Sequence, residues 1–559
     1  MHKTITLFTA ALLIAATAGL RAQDMPFIDA IYSVGDPTMD TYSQNIDVFE
    51  LLRAGASDPN ATPNRSLQMD VYQPMDDDES ILRPVVVVFP TGNFLPRYVN
   101  RGLYGTRKDS AVVEIVNRVA ERGYVGIAAD YRVGWNPASP VQDVRTGSLL
   151  QAAYRGGQDA HALARYLRKT VAEEGNPYRI DTSRIVFWGL GTGGYVSMTH
   201  AFLDRIEEVE ADGRFYDEND VPYVSLGVNS DPQGLMPAQF DADTPSNIPN
   251  HVGYNSTVAM SINSNGALGD IDWMEGKDDE PMVLGFHSPA DIFAPFSYGD
   301  VIVPTTRDLV VGCVAGTEQI IEKANTLGLN DALAAVNGTS LDAMYGPLAQ
   351  AVNVRNEAYK SQTRTLDPAP ACPEQTAFEP TYELSHDNMY PFLSQGFGAP
   401  YNWVNEEAAR AEIAQFNAAG GDLNADVAIG GEKQVNPNAV DPAAARRVID
   451  TMMAVFIPRA YVGLDLGNLS TGTEDVITNA AVGLDVFPNP SAEGFTVRVA
   501  ETQLIRQIDL FDLHGRRVAQ YTDIDQSTYR VNRGNLPRGE YIVQLRLDAG
   551  TTAHVVYLR

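Results

Sequence analysis

From about Ser66 to Ser297, short apolar runs alternate with stretches of helical periodicity. Leu67, Met69 and Val71 alternate as a strand with one buried face, and Pro84 to Phe89 is an apolar, β-branched run of the kind that lies buried on both faces. Val112, Val113, Val116 and Val119 recur at helical spacing, with Gly123 placed as a C-terminal cap and Tyr124 to Tyr131 as the next strand. Gln151 to Glu174 reads as a long amphipathic helix with Ala152, Ala160, Leu163, Ala164 and Leu167 on its apolar side. Ile185 to Trp188, Val258 to Ile262 and Met282 to Phe286 supply three more strands. This alternation predicts an α/β fold, a mostly parallel sheet flanked by helices.

Between Cys313 and Asn402 the pattern becomes helical (Glu318 to Leu327, Leu341 to Val354) and then Pro-rich (Asp367 to Pro373). An insertion at 313–402, following the sixth or seventh strand, is expected there, as a lid or as an elaborated edge of the domain. A helix carrying Ala444, Val448, Met452 and Val455 closes this first domain, which is read as 23–465. Residues 466–483 are rich in Gly, Ser, Thr and Asn and read as a linker. From 484 to 559 short strands separated by turns predict a small all-β, sandwich-like domain: Phe495 to Val499, Ile508 to Leu513, Tyr529 to Val531, Tyr541 to Leu547 and His554 to Leu558.

Composition narrows the setting. Residues 1–22 have a basic start at Lys3, an apolar core through Leu12, Leu13, Ile14 and Ala15, and small residues ending at Ala22, the layout of a removable secretory signal peptide. That core is too short to span a bilayer, and no later stretch is apolar for long enough, so no membrane span is expected. The net charge of -30 over 559 residues argues against nucleic acid as a partner, because a phosphate-tracking surface needs clustered Lys and Arg. Asp76 to Glu79 lacks the spacing of a calcium loop, and neither a metal site nor a cofactor is indicated. The two cysteines, Cys313 and Cys372, are open to a disulfide in an exported chain, two unpaired buried thiols being the alternative.

The sequence Arg184-Ile185-Val186-Phe187-Trp188-Gly189-Leu190-Gly191-Thr192-Gly193-Gly194 reads as a buried strand turning sharply into a helix, the layout of the nucleophile elbow G-x-S-x-G. Gly191 stands where the serine is expected. Moving the register by one residue, to make Thr192 the nucleophile, would put Leu190 where the tight turn wants a small side chain.

Four blocks in order resemble the carboxylesterase and lipase branch of the α/β-hydrolase fold, over roughly Ser66 to Phe392. They are Leu67-Gln68-Met69-Asp70-Val71-Tyr72-Gln73-Pro74, Asp130-Tyr131-Arg132, Gln158-Asp159 ahead of the elbow, and His287-Ser288-Pro289-Ala290-Asp291 where the family has H-G-x-x-D. The resemblance implies Asp291 as the acid of a triad. Triads on this fold run nucleophile, acid, histidine along the chain, and His386 is the single histidine between Asp291 and the end of the large domain. A solvated loop histidine is the alternative there. The family's H-G-G-G turn is replaced by Pro90-Thr91-Gly92-Asn93-Phe94, leaving Asn93 or its neighbour and Thr192 as the backbone donors of an oxyanion hole. Small acyl esters or acylated polysaccharides are the implied ligands. If the pocket survives, a serine restored at 191 would be expected to recreate activity.

The C-terminal domain resembles the type A sorting domain that Bacteroidota use for type IX secretion. The matching blocks are Val486-Phe487-Pro488-Asn489-Pro490-Ser491 with Gly494, then Asp512-Leu513-His514-Gly515-Arg516-Arg517-Val518, then Gly539-Glu540-Tyr541-Ile542-Val543. The resemblance implies the type IX machinery as a partner, passage through the periplasm, and release or cell-surface attachment.

Overall fold

The structure is a computed structural model. It describes residues 25–54, 64–75, 81–302, 308–334, 336, 388–392, 397–468, 479, 482–500, 502–511, 517–522, 524–534, 536–547 and 550–559. The chain divides into two units that meet between Asn468 and Leu469.

The first unit is built on one eight-stranded sheet. Its strands are β1 Thr38–Ile46, β2 Asn64–Tyr72, β3 Arg83–Phe89, β4 Val125–Ala129, β5 Ile180–Leu190, β6 Met260–Ser264, β7 Met282–His287 and β8 Met389–Pro391. The spatial order is β1-β2-β4-β3-β5-β6-β7-β8. β1 with β2 and β2 with β4 are antiparallel. Every other neighbouring pair is parallel. This order and these senses are those of the α/β-hydrolase fold.

The helices that frame the sheet are α1 Ser110–Ala120, α2 Gln142–Glu173, α3 Thr192–Phe202, α4 Thr317–Thr326 and α5 Pro442–Gly463. Successive strand residues point to opposite faces. On β5, Phe187 packs on His200 of α3 (4.7 Å between centroids), while Trp188 packs on Phe456 of α5 (5.1 Å). α3 and α5 therefore cover opposite faces. With both faces covered, β3 is buried at every position, and its Val85-Val86-Val87-Val88 run pairs with β4 on one side and β5 on the other. The entry into α5 is fixed by Asp441, whose carboxylate accepts the N–H of Ala444, with Pro442 in the first turn.

Two features depart from the sequence reading. The long helix α2 begins at Gln142, nine positions before Gln151. The segment expected to be an insertion from Cys313 carries part of the scaffold itself. Cys313 lies on the strand Leu309–Gly316, which pairs with Tyr298–Ile302 and Ala267–Leu268 in a small antiparallel sheet. α4 then packs beside β7, and Met389–Pro391 adds the eighth strand of the main sheet. Cys313 is disulfide-bonded. Cys372, His386 and the predicted helix Leu341 to Val354 lie outside the described residues.

The second unit is all-β and antiparallel. One sheet orders Arg517–Tyr521, Ile505–Phe511, Gly539–Leu547 and Gly550–Leu558, and the other orders Asp485–Phe487, Gly494–Arg498 and Thr528–Asn532. Phe495, Val497 and Val531 of the second sheet share one apolar cluster with Ile508, Leu510, Val543 and Leu545 of the first. The two sheets close on each other as a sandwich.

Candidate active site

Gly191 is the single residue between β5 and α3, with φ +54° and ψ -116°. This positive-φ conformation strains any residue with a side chain and favours glycine. The turn is tight because its flanking glycines leave no room: a Cβ on Gly189 would lie 2.0 Å from Gly193 O, and one on Gly193 would lie 2.3 Å from Phe89 O. The elbow predicted from the sequence is thus present in its backbone.

The place of the missing side chain is occupied. A Cβ on Gly191 would stand 2.2 Å from Thr91 Oγ1 and 2.8 Å from Thr91 Cβ. Thr91 belongs to the turn that follows β3, and its hydroxyl oxygen also accepts the backbone N–H of Thr192 at 3.4 Å. The donor expected to serve an oxyanion is turned onto this hydroxyl. The Thr192 hydroxyl donates to Tyr131 Oη (3.0 Å), which donates in turn to Pro90 O (2.9 Å). Its proton is directed into the protein, which removes the geometric basis for Thr192 as a nucleophile. Asn93 is exposed with φ +55°, and its carbonyl accepts Trp135 Nε1–H at 2.8 Å, which fixes this part of the turn.

Asp291 lies in the loop after β7. Its Oδ1 accepts the N–H groups of Phe293 (2.7 Å) and Ala294 (3.2 Å), and its Oδ2 accepts Asn265 Nδ2–H at 2.6 Å. Burial pushes its carboxyl up to about 6 against these stabilising hydrogen bonds. His287, 3.8 Å away, is no counter-ion. Burial pushes its imidazole down to about 3, so it is neutral, with Nδ1 on Thr317 Oγ1 (2.6 Å) and Nε2 on Ala294 O (3.2 Å).

Between the elbow and this carboxylate sits Tyr401, fully buried. Its hydroxyl donates to Ser264 O at 3.0 Å, the carbonyl that also receives Gly191 N–H at 2.8 Å. Burial first, and then the charge of Asp291, push the Tyr401 phenol far above its ordinary value, while the Gly191 amide acts the other way. Tyr195, one turn into α3, feels the same carboxylate. Among the described residues its hydroxyl is buried without a partner, as is Asn265 Oδ1.

The structure therefore brings together Gly191, Thr192 and Thr91, and links Gly191 to the Asp291 loop through Tyr401. The sequence reading missed Thr91, Tyr401, Tyr195 and Asn265. Only Thr91 left a signal, as a β-branched residue in a turn that is glycine-rich in the family resembled.

The C-terminal unit matches a known family, the secretion system C-terminal sorting domain, over residues 485–557. These residues are a secretion sorting domain. The domain implies handling by the type IX system, with export and then secretion or attachment at the cell surface. No curated protein matches the chain in sequence. Among solved structures, the chain is similar over about half its length to esterase 2 of the planctomycete Thermogutta terrifontis. The butyrate-bound form is 18% identical, covering 52% of this chain and 80% of that chain, with a TM-score of 0.27. The propionate-bound form is 16% identical, covering 54% and 95%, with a TM-score of 0.26. The strand order, not a likeness at this score, carries the fold assignment.

Proposed function

We propose that this chain is an exported esterase-like protein that does not perform serine-dependent acyl transfer and that acts through binding at the strand ends around Gly191. The observation that carries this reading is the Thr91 hydroxyl in the space of a serine at 191. Acyl transfer on this fold needs a nucleophile at the elbow, an imidazole to take its proton, and free donors for the oxyanion. Position 191 has no hydroxyl, and the Thr192 N–H is directed to Thr91. Without the nucleophile, binding and oxyanion effects alone leave only about 10³–10⁴-fold over water in triad enzymes.

A binding role is supported by the rim of the site. Ile292, Phe293 and Phe397 are exposed there at 56%, 39% and 52%, and Ile292 N–H donates to Phe397 O at 3.1 Å, so the three stand together beside Asp291. Such an apolar rim suits an acyl group, whether of a small ester or of an acylated polysaccharide. Export fits a leader at 1–22 that is removed and a C-terminal domain read by a type IX system of the kind found in Bacteroidota.

A second reading, an esterase with a non-standard nucleophile, has one observation in its favour: Thr91 Oγ1 itself stands at the elbow. Turnover of aryl acetates by the full chain separates the two. Hydrolysis at the buffer rate is expected; robust turnover that disappears in Thr91→Val or His386→Ala would overturn the binding reading.

A further inference from the structure

At the opposite ends of the strands, where β6 and β7 begin, a cavity of about 60 Å³ is lined by His161 of α2, His200 of α3 and Ser256. The two imidazole rings lie 4.2 Å apart between centroids, tilted by 40°. Ser256 holds both of them. Its carbonyl accepts His200 Nε2–H at 2.9 Å, and its Oγ meets His161 Nδ1 at 2.9 Å. The remaining nitrogens, His161 Nε2 and His200 Nδ1, are buried and have no hydrogen-bond partner among the described residues.

A carbonyl only accepts, so His200 carries its proton on Nε2, and in the neutral ring Nδ1 presents a lone pair. Each ring is thus held through one nitrogen by an oxygen of Ser256. This is how protein oxygens orient histidines that bind metal through the other nitrogen. The mouth is acidic: Asp204, Asp279 and Glu280 line it, with Lys277 already engaged by Asp204 at 2.6 Å. The lone pair of His200 Nδ1, joined by that of His161 Nε2 in the tautomer whose Nδ1–H donates to Ser256 Oγ, and the carboxylates outside select a cation, and imidazole donors favour zinc, copper or nickel over calcium or magnesium.

We propose that His161 and His200 form a two-histidine site for a divalent transition-metal ion, oriented by Ser256. Among the described residues no three metal-ligating side chains converge on one point, so water completes the coordination. The cavity has room for an ion with several waters, since a water needs roughly 10–15 Å³ of such space.

The test titrates the full chain with Cu²⁺ alone, read by electron paramagnetic resonance. One Cu²⁺ per chain is expected, with hyperfine coupling to two imidazole nitrogens, displaced by Zn²⁺. His161→Phe and His200→Phe should each weaken binding at least tenfold, as a lost ligand does, while His251→Phe should leave it unchanged. Ser256→Ala keeps the backbone carbonyl and should weaken binding by about 10–100-fold, which tests the site even if the histidine variants fail to fold. Copper bound equally by wild type and folded variants, or no copper taken up by the folded wild type, would overturn the proposal. The two nitrogens would then face water only.

Discussion

Thr91 Oγ1 lies 2.2 Å from the point where a Cβ on Gly191 would stand, so the turn after β3 fills the space that a serine would need. Glycine at 191 and a β-branched residue across from it are one packing solution. The consequence reverses the simplest expectation from the sequence, that a serine restored at 191 would restore the reaction.

Gly191→Ser alone should therefore destabilise the chain and gain no esterase activity. The positive φ costs a serine on the order of 1–3 kcal/mol, and the overlap with Thr91 adds about as much again. Thr91→Gly in the same chain should recover part of that loss. Urea unfolding of the two single variants and the double variant measures this, with a coupling between the sites of about 0.5–3 kcal/mol expected. Additive effects would mean that the two positions do not share the space.

Asp291 sets a pH dependence whose direction is fixed by its environment. A carboxyl whose folded-state value is raised from 3.8 to about 6 stabilises the fold below pH 4 and loses that contribution as pH rises through 6. Asp291→Asn removes the dependence. Relative to wild type, the variant should gain up to about 3 kcal/mol in unfolding free energy between pH 4 and pH 7, because each tenfold change in proton affinity is worth about 1.4 kcal/mol. A difference that stays constant across this range would indicate a cationic partner for Asp291, as a working triad supplies.

Removal of the C-terminal unit from Leu469 onward should leave the first unit folded, because its sheet and cores are its own. In a host with the type IX system, the truncated chain should stay in the periplasm while the full chain reaches the surface or the medium. Cell fractionation with an antibody to the first unit reads this directly. Equal export of both forms would remove the sorting role from residues 485–557.

Much of the central sheet was legible in the sequence because its strands are buried on both faces and read as apolar runs, as at Val85 to Val88 and Ile185 to Trp188. The edges were not. β1 contains Asp40, Gln44 and Asn45 and is paired on one side only, so its pattern is that of a polar segment, and β8 spans only Met389–Pro391. The elbow could be placed because glycine at 189 and 193 is dictated by close backbone approach and at 191 is favoured by a positive φ. Tyr401 was out of reach: more than two hundred residues separate it from Gly191, and only the fold brings its hydroxyl to Ser264 O.

The most direct test of the central claim is covalent labelling of the full chain by a fluorophosphonate, read by intact mass and peptide mapping. Reagents of this class react with an activated hydroxyl whether or not a good substrate is known, so the result does not depend on guessing the ester. No adduct is expected on the folded chain under conditions that label a control serine esterase completely. A stoichiometric adduct on Thr91 or Thr192 would contradict it and return the chain to the active esterases.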